Sequence, residues 1–549
     1  DNTRVEITPS DTTKNGWLPY QTYTVNLNKG EIYNVFGKAI FDGNPSHASK
    51  DMTGSKIISV PGADGNCHPV GVFSGSGGIR LCRGDGGEFV HQQVFPAQAW
   101  GTRYLTYHTI NNTNTNITET NRNIYRVCVQ DPTTIVKKNG VPMTGIIKNF
   151  YYEYMDSTGG DYIESDKPIQ VAQYMTNKNQ CWNFPTTTPA PLSYGDPEMF
   201  YISPIEQGQR SVLFYVSRKS SIDYVYANIH LPTAAVNSLL VDGAAVPSGQ
   251  IIPHPHLPSY SVALVRFIGP ATQHTITCDS AFTSTVYGLG NYESYGYNVG
   301  TLINNLNNYS AIRNTLNQTA VTDTFTCPKT PFRLFAKLAF PANSITWKLS
   351  QVPGLNPGVD SVQNNPVPLY TELINGRSYY TYTLQQDFSL PTAGTFYIPI
   401  SYSAAVIQNC NQTEFASIKI VVKPGPRPDF IYQNLCFRDT VKLYGSQIGN
   451  SFILTNYLWT FHDGSTQTSP VAKKLYTTTG TFDVNFKVIA DNGCVGDTTK
   501  QITLSTGTIP PLSISITGTP CIDSILQFRS SLTPDPNNAA TWFWDFGDG

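Results

Sequence analysis

Residues 482–488, with the sequence FDVNFKV, alternate strictly between apolar and polar side chains. A period of two places every second side chain on the same face, so this stretch predicts a half-buried β-strand. Gly480 provides a turn before it, and the apolar Ile502 and Leu504 repeat the pattern one strand later. Several short strands of this kind within roughly 80 residues predict a small β-sandwich.

The composition of the whole chain favours the same architecture. Aromatic residues make up 12% of the 549 residues and charged residues only 13%, which suits pleated, half-buried surfaces. This length predicts several domains. We therefore expect an all-β, multidomain chain of β-sandwiches, in which a large N-terminal β unit precedes smaller tandem modules.

Charge and hydropathy exclude two classes of protein. The formal net charge is −2 and no basic run occurs, whereas nucleic-acid binding requires clustered Lys and Arg. No stretch approaches the ~18 apolar residues of a membrane-spanning helix. We therefore expect no nucleic-acid partner and no transmembrane segment.

The end of the chain repeats itself. Residues 458–464 (LWTFHDG) and 543–549 (FWDFGDG) are separated by the same offset as Cys436 and Cys521. A constant offset without gaps indicates a duplication. The second copy stops at Gly549, so we expect the protein to continue beyond this residue.

The duplicated motif resembles the signature of PKD domains, which are immunoglobulin-like modules of large extracellular proteins. The second copy carries the signature in full: Trp544, Asp545, Phe546, Gly547, Asp548 and Gly549. The first copy keeps four of its positions: Trp459, Phe461, Asp463 and Gly464. The resemblance implies a spacer or stalk module without catalysis. Asp545 and Asp548 could bind calcium, but we favour the interpretation that they shape the turn through backbone amides.

A second resemblance covers residues 1–301. Its motifs, in order, are DMTGSKI (51–57), AWGTRY (99–104), SDKPIQV (165–171), DPEM (196–199), VYGLG (286–290) and ESYGY (293–297). They resemble the N-terminal domain of the IgGFc-binding protein family. This implies an extracellular binding or scaffold domain with no known catalytic residues; it is not evidence that the chain binds immunoglobulin.

These landmarks divide the chain. We predict an IgGFc-binding-like β domain with an internal duplication at 1–301, a connector at 302–325, an Ig-like sandwich at 326–423, a PKD-like domain at 426–505 and the start of a second PKD domain at 510–549. In the connector, Leu302, Leu306, Tyr309, Ile312 and Leu316 have near-helical spacing, but its asparagines are poor helix formers. A short helix and an irregular connector both stay open.

The ten cysteines show no CxxC and no zinc-ligand spacing. In a β-rich chain of this composition they indicate disulfides and an oxidising compartment. We predict Cys436–Cys494 and Cys327–Cys410 within modules, a local Cys67–Cys82 bridge and a Cys128–Cys181 bridge. Cys521 would pair beyond residue 549, and Cys278 is left without an assigned partner.

No catalytic motif is present: HExxH, GxSxG, Walker and EF-hand patterns are all missing. We therefore predict no catalytic residue, no metal and no cofactor. His254-Pro255-His256 could ligate a metal, but we interpret it as a proline-bracketed loop. Tyrosines at 151–154 and 292–297 could contact sugar or protein, but we expect them to line the core.

The combination of these domains resembles the large surface proteins of gliding Bacteroidetes, which are exported by type IX secretion. The resemblance implies an extracellular, outer-membrane-attached protein at the bacterial cell surface. We expect a non-enzymatic adhesin or stalk serving gliding motility or attachment. Its head would bind an extracellular polysaccharide or protein, and a part beyond residue 549 would meet the secretion or anchoring machinery. Two alternatives are an ancillary region of a secreted polysaccharide-degrading enzyme and a carbohydrate-binding module.

Overall fold

The fold is that of a computed structural model of the chain. It describes residues 2–40, 49–79, 81, 88–110, 122–156, 159–176, 194–405, 407, 412–433, 435, 440–449, 451–505, 513–521, 524–531 and 544–545. Within these ranges the regular structure consists of β-strands and five short 3-10 helices. The all-β prediction is therefore confirmed. The 3-10 helices are Ala97–Ala99, Ile205–Gln207, Thr233–Ser238, Ser248–Gln250 and Leu349–Gln351.

The chain divides into two compact units. The first contains residues 1–312, 333–388 and 395–421, and the second contains residues 313–332, 389–394 and 422–549.

The described residues of the N-terminal region of the first unit form twenty strands. They are β1 (Thr3–Thr8), β2 (Tyr23–Leu27), β3 (Lys56–Val60), β4 (Phe73–Ile79), β5 (Glu88–Gln93), β6 (Gly101–Leu105), β7 (Asn123–Val129), β8 (Val136–Lys138), β9 (Val141–Pro142), β10 (Tyr151–Asp156), β11 (Tyr162–Met175), β12 (Glu198–Tyr201), β13 (Gln209–Tyr215), β14 (Ile222–Pro232), β15 (Leu240–Val241), β16 (Ala244–Ala245), β17 (Ile251–Pro253), β18 (Tyr260–Phe267), β19 (Gln273–Gly290) and β20 (Glu293–Val299).

One strand arrangement occurs three times in this region. The sheet orders β2-β1-β3, β10-β7-β11 and β18-β14-β19 place an antiparallel neighbour on each side of a central strand. A hairpin partner then follows in each copy: β5 beside β4, β12 beside β11 and β20 beside β19. The proline-capped helices Ala97–Ala99 and Ile205–Gln207 follow the first and second copies. The three equivalent partners lie together, because β12 contacts both β5 and β20.

The Ig-like region continues the chain in two four-stranded sheets, β21-β22-β26-β25 and β24-β23-β27-β28. The aromatic side chains of Trp347, Tyr382 and Tyr402 are fully buried. The Trp347 indole N–H donates a hydrogen bond to Gln363 at 2.9 Å, so burial of its polar group costs little. The strands are β21 (Asn308–Asn314), β22 (Phe332–Leu338), β23 (Ser344–Trp347), β24 (Ser361–Asn364), β25 (Tyr370–Ile374), β26 (Arg377–Thr383), β27 (Gly394–Ser403) and β28 (Thr413–Val422).

A buried polar cluster holds residues 305–307 against this region. The Glu414 carboxylate accepts hydrogen bonds from the side-chain amides of Asn305 and Asn307, both at 2.7 Å, and from the Tyr402 hydroxyl at 2.6 Å. Arg377 donates to the Asn307 side-chain oxygen at 2.9 Å. We call these five residues the Glu414 network. Charge-assisted hydrogen bonds of this kind are about twice as strong as neutral ones.

The same segment is held from its other side by Gln207, which is fully buried. The Gln207 side-chain amide donates to the carbonyls of Ala99 and Asn304, and its side-chain oxygen accepts from the Asn304 N–H. The helix considered for the 302–325 connector is therefore wrong: the asparagines there satisfy buried partners, and β21 follows them.

The PKD-like region of the second unit forms a β29-β30-β33 sheet and a β32-β31-β34-β35 sheet. The predicted FDVNFKV strand lies in β34, with Val484, Phe486 and Val488 buried. A further hairpin, β36-β37, follows. The strands are β29 (Pro428–Gln433), β30 (Thr440–Gln447), β31 (Leu454–Phe461), β32 (Thr466–Gln467), β33 (Val471–Leu475), β34 (Gly480–Ala490), β35 (Val495–Leu504), β36 (Ser513–Thr517) and β37 (Gln527–Ser531).

A disulfide joins Cys327 to Cys494. The predicted pairs Cys436–Cys494 and Cys327–Cys410 are therefore wrong. The reason is that residues 313–332 fold with the second unit: Asn314 donates to the Asn492 carbonyl at 2.9 Å, and Val495 N–H donates to the Thr330 hydroxyl at 3.0 Å. These contacts bring the two sulfur atoms together.

The remaining cysteines give a mixed outcome. Cys128 is free, so the predicted Cys128–Cys181 bridge is wrong. Burial raises the pKa of the Cys128 thiol to about 12. Cys278 and Cys521 are also free. Cys67 is disulfide-bonded, and its pairing with Cys82 stays a prediction. Four cysteines lie outside the described residues: Cys82, Cys181, Cys410 and Cys436.

Removing the Cys327–Cys494 bond should destabilise the second unit. Closing a loop of this length is worth about 5 kcal/mol in the chain-entropy model. We expect the Cys327→Ser/Cys494→Ser double variant to melt at a lower temperature without reductant, as measured by calorimetry. Cys521→Ser, at an exposed free thiol, is the matched control. A Cys436–Cys494 peptide in non-reducing mapping would contradict the assignment.

Glu414→Gln should destabilise the first unit. Glutamine offers one acceptor oxygen where the carboxylate offers two, so an asparagine amide would face another amide group in a buried site. We expect a loss of about 2–3 kcal/mol, the scale of a hydrogen bond to a charged group. Melting temperature and the rate of proteolysis at 302–307 measure it. Asp279→Asn, an exposed acid, is the control, and equal proteolysis rates would count against the network.

Candidate binding groove of the N-terminal domain

The predicted tyrosine clusters differ in their exposure. Tyr151 and Tyr152 are buried, and Tyr154 stacks on Tyr125 at 5.1 Å between ring centroids. This first cluster lines the core, as expected. In the second cluster Tyr292 is 56% exposed, and Tyr297 lines an open groove.

The groove lies where several strands of the three copies end. It has two adjoining lobes of about 370 and 380 Å³, which share Tyr297, Asn298 and Gly300. One lobe is bordered by the exposed Leu213 and Tyr215 of β13. The other lobe is bordered by residues at the ends of β5, β12 and β13, together with residues that follow β5 and β20.

Hydrogen bonds fix the floor of the groove. The Asn298 amide donates to the Tyr201 carbonyl at 3.1 Å and to the Ser203 hydroxyl at 2.5 Å, and its side-chain oxygen accepts from Thr301. The Tyr297 hydroxyl donates to the Tyr215 carbonyl. The floor is therefore formed before any ligand arrives, which reduces the entropy lost on binding.

Gly300 is required at its position between the lobes. Its φ is +75°, a conformation that favours glycine. A Cβ atom there would lie 2.2 Å from Cγ1 of Val212. Any larger residue would therefore distort both lobes.

Two glutamines that line the groove make no side-chain hydrogen bond within the described residues. The side chains of Gln93 and Gln209 line it, and neither makes a hydrogen bond to any group in the described part of the chain. Gln92 differs, since its amide donates to the Gly296 carbonyl at 3.2 Å. Gln93 and Gln209 thus retain both donors and acceptors for a ligand.

Acidic residues mark the beginnings of the equivalent strands. β5, β12 and β20 start with Glu88, Glu198 and Glu293. Burial and the nearby Glu88 carboxylate raise the pKa of Asp196 to about 7. Burial is also the main cause that raises the pKa of Glu198 to about 7. A neighbouring carboxylate of the same charge disfavours the ionised form of a carboxyl group, and Glu88 is such a neighbour of both Asp196 and Glu198.

His108, His230 and His254 are core residues. Burial lowers the pKa of His108 and His254 to about 4 and that of His230 to about 3. They are therefore neutral at neutral pH. His254 belongs to the His-Pro-His segment, whose His256 is exposed. Over the described ranges, no group of three or more His, Cys, Asp or Glu side chains is arranged to hold a metal.

The described PKD signature residues have structural roles. Trp459 is buried, stacks on Phe486 at 4.1 Å and donates to the Ser469 carbonyl. Asp463 accepts from the Ser465 N–H at 3.1 Å and from Lys474 at 2.5 Å. Asp463 therefore shapes a turn, in which Gly464 has φ +79°.

The rest of the signature is partly described. Phe461 is buried in the same core as Trp459. In the second copy Trp544 and Asp545 are described, whereas Phe546, Gly547, Asp548 and Gly549 lie outside the described residues. The turn-shaping roles of Asp545 and Asp548 stay predictions.

Replacing the Glu198 carboxylate should stabilise the fold only at high pH. The folded-state pKa of about 7 lies above the ordinary 4.5, so the native state binds the proton more tightly and its stability falls as pH rises from 4.5 to 7. We expect Glu198→Gln to melt above wild type at pH 8 and level with it near pH 4.5. Glu31→Gln, at an exposed carboxylate, is the control. The same difference at both pH values would refute the expectation.

Among the described residues no helix is long and apolar enough to cross a membrane. A family model described as IgGFc binding protein matches residues 1–288, and a PKD domain model matches residues 423–505. Both predicted resemblances are confirmed, and both matched domains are non-catalytic. The PKD domain and the disulfide are consistent with an extracellular protein. No curated protein matches the chain.

Several solved structures of β-rich proteins are similar at low identity. Fibronectin(III)-like modules of Clostridium thermocellum CbhA share 7% identity over 36% of this chain and 94% of theirs, with a TM-score of 0.17. The amphioxus IgVJ-C2 molecule shares 11% over 54% and 98%, with a TM-score of 0.13. A tetra-tandem repeat in the extending region of a large adhesion protein shares 10% over 74% and 99%, with a TM-score of 0.13. TM-scores and identities this low support no conclusion about this chain.

The IgGFc-binding match covers more than half of the chain's 549 residues. It spans the first two copies of the strand arrangement and most of the third, and it ends before β20. The chain belongs to the IgGFc binding protein family.

Proposed function

We propose that this chain forms the binding head and spacer modules of a non-enzymatic adhesin or stalk protein at the bacterial cell surface. The N-terminal domain binds an extracellular polysaccharide or protein, and the Ig-like and PKD modules carry it. The observation that supports this most is the Cys327–Cys494 bond, because it changes how the chain bears tension.

Tension along an adhesin pulls on its backbone. The bonded cysteines are separated by 167 residues, and strands β22 to β34 lie between them. Force that reaches Cys327 passes through the disulfide to Cys494. The Ig-like strands β22 to β28 and the PKD strands β29 to β34 are therefore shielded from stretching, whereas β21 and β35 lie outside the loop.

The segment that joins the N-terminal domain to the Ig-like region is also suited to transmit tension. Residues 302–307 would act as a flexible linker if they were solvated. Instead, Gln207 holds them on one side and the Glu414 network holds them on the other. Buried, fully paired polar groups rigidify the segment that they join.

The proposed bacterial group, secretion route and biological role rest on the combination of domains in the chain. An IgGFc-binding domain followed by a PKD domain supports a surface protein of gliding Bacteroidetes that type IX secretion exports and an outer-membrane partner anchors. Gliding motility or attachment is the corresponding role.

Deleting residues 1–301 from the full-length protein should abolish attachment of the producing cells. The PKD modules should still reach the cell surface, which protease accessibility measures. Attachment under flow at wild-type level, with the truncated protein displayed, would overturn the proposal.

A second variant tests the role of the disulfide while keeping the head. We expect cells with Cys327→Ser/Cys494→Ser to attach normally at low shear and to detach at shear that wild-type cells withstand. Lys487→Gln, at an exposed side chain of β34, is the control. Equal detachment thresholds would contradict the proposed path of tension.

A further inference from the structure

The groove of the N-terminal domain has no charged lining. Neither lobe is bordered by Lys, Arg, Asp or Glu. Polyanions such as acidic polysaccharides and nucleic acids require cationic partners. Complementarity of charge therefore favours an uncharged ligand.

The rings in the groove provide flat apolar faces. The Phe95 and Tyr201 rings lie 6.0 Å apart between centroids at an interplanar angle of 44°, and Tyr297 borders both lobes. The half-buried Tyr297 ring stacks on Tyr295 at 6.2 Å between centroids, and its hydroxyl is bonded to Tyr215, so the part of the ring that borders the lobes is held in place. Tyrosine combines an apolar face with a polar tip, which suits ligands that are apolar on one side and polar at the edge.

The free amides supply the polar part. Gln93 lies at the end of β5 and Gln209 at the start of β13, and both border the same lobe. A primary amide can donate to one hydroxyl and accept from another. Sugar hydroxyls need both roles, whereas a proline-rich peptide offers mainly carbonyl acceptors.

From these observations we infer that the groove binds a neutral polysaccharide, whose sugar rings stack on Tyr297 and the Phe95–Tyr201 pair and whose hydroxyls bond to Gln93 and Gln209. The inference rests on the proposed function of this domain as a binding head and names its ligand class. Two adjoining lobes fit consecutive sugar units of a chain.

The test uses the purified 549-residue chain and calorimetric titration. The neutral probes are mannan, xyloglucan and mixed-linkage β-glucan, the acidic probes are alginate and polygalacturonate, and a proline-rich peptide is included. We expect binding to at least one neutral polymer, little change between 50 and 500 mM salt, and none to the acidic polymers or the peptide.

Variants locate the site. We expect Gln93→Ala/Gln209→Ala to raise Kd about tenfold, or about 1.4 kcal/mol, at an unchanged melting temperature, because these side chains make no bond within the described residues. Tyr297→Leu should remove binding and Tyr297→Phe should retain it. Gln386→Ala, at an exposed glutamine outside the groove, is the matched control.

The outcomes separate this inference from the proposed function. Neutral-polymer binding that both groove variants leave unchanged would overturn the groove assignment. Salt-sensitive binding of the acidic polymers, binding of the peptide alone, or no binding to any probe would overturn the ligand class. In each of these cases the 1–301 deletion still decides separately whether the domain mediates attachment.

Discussion

The bond between Cys327 and Cys494 is the constraint on which the second unit depends. It closes a loop that contains strands β22 to β34, so the chain between the two cysteines cannot extend while the bond is intact. The contacts of Asn314 with Asn492 and of Thr330 with Val495 hold the two cysteines in place. Residues 313–332, which precede strands β23 to β28 in the sequence, are thereby linked covalently to the PKD region.

In the first unit, the buried carboxylate of Glu414 has a comparable role. An unpaired buried charge would cost several kcal/mol, and Glu414 avoids this cost only if Asn305, Asn307 and Tyr402 all reach it. The segment 305–307 must therefore be ordered whenever the Ig-like region is folded. Gln207 adds the same requirement from the N-terminal domain. Head and first module share one compact unit for this reason.

Repetition of one strand arrangement explains where the binding groove lies. The equivalent strands β5, β12 and β20 come together, so residues at their ends meet although they are about a hundred positions apart in the chain. Their first residues are glutamates, and the pKa values of one of these, Glu198, and of the neighbouring Asp196 are raised. Their last residues border an uncharged groove. The two ends of the same strands thus have opposite chemistry.

The sequence patterns predict local features well. Alternation at 482–488 predicted β34, and the turn-shaping role predicted for Asp548 is the role that its equivalent in the first copy, Asp463, has. Disulfide pairing depends on which distant segments meet, and nothing near Cys327 shows that residues 313–332 fold with the PKD region. Likewise, the asparagines at 305 and 307 read as poor helix formers, but their partner Glu414 is too distant for any spacing to indicate it. Gln93 and Gln209 carry no motif at all.

Force spectroscopy on the single chain, pulled from its two ends, tests the shielding by the disulfide most directly. The loop between the cysteines spans 167 positions, which corresponds to roughly 55–60 nm of extended chain. The account predicts that this length is released only when a reductant is present. Release of the same length without reductant would contradict it.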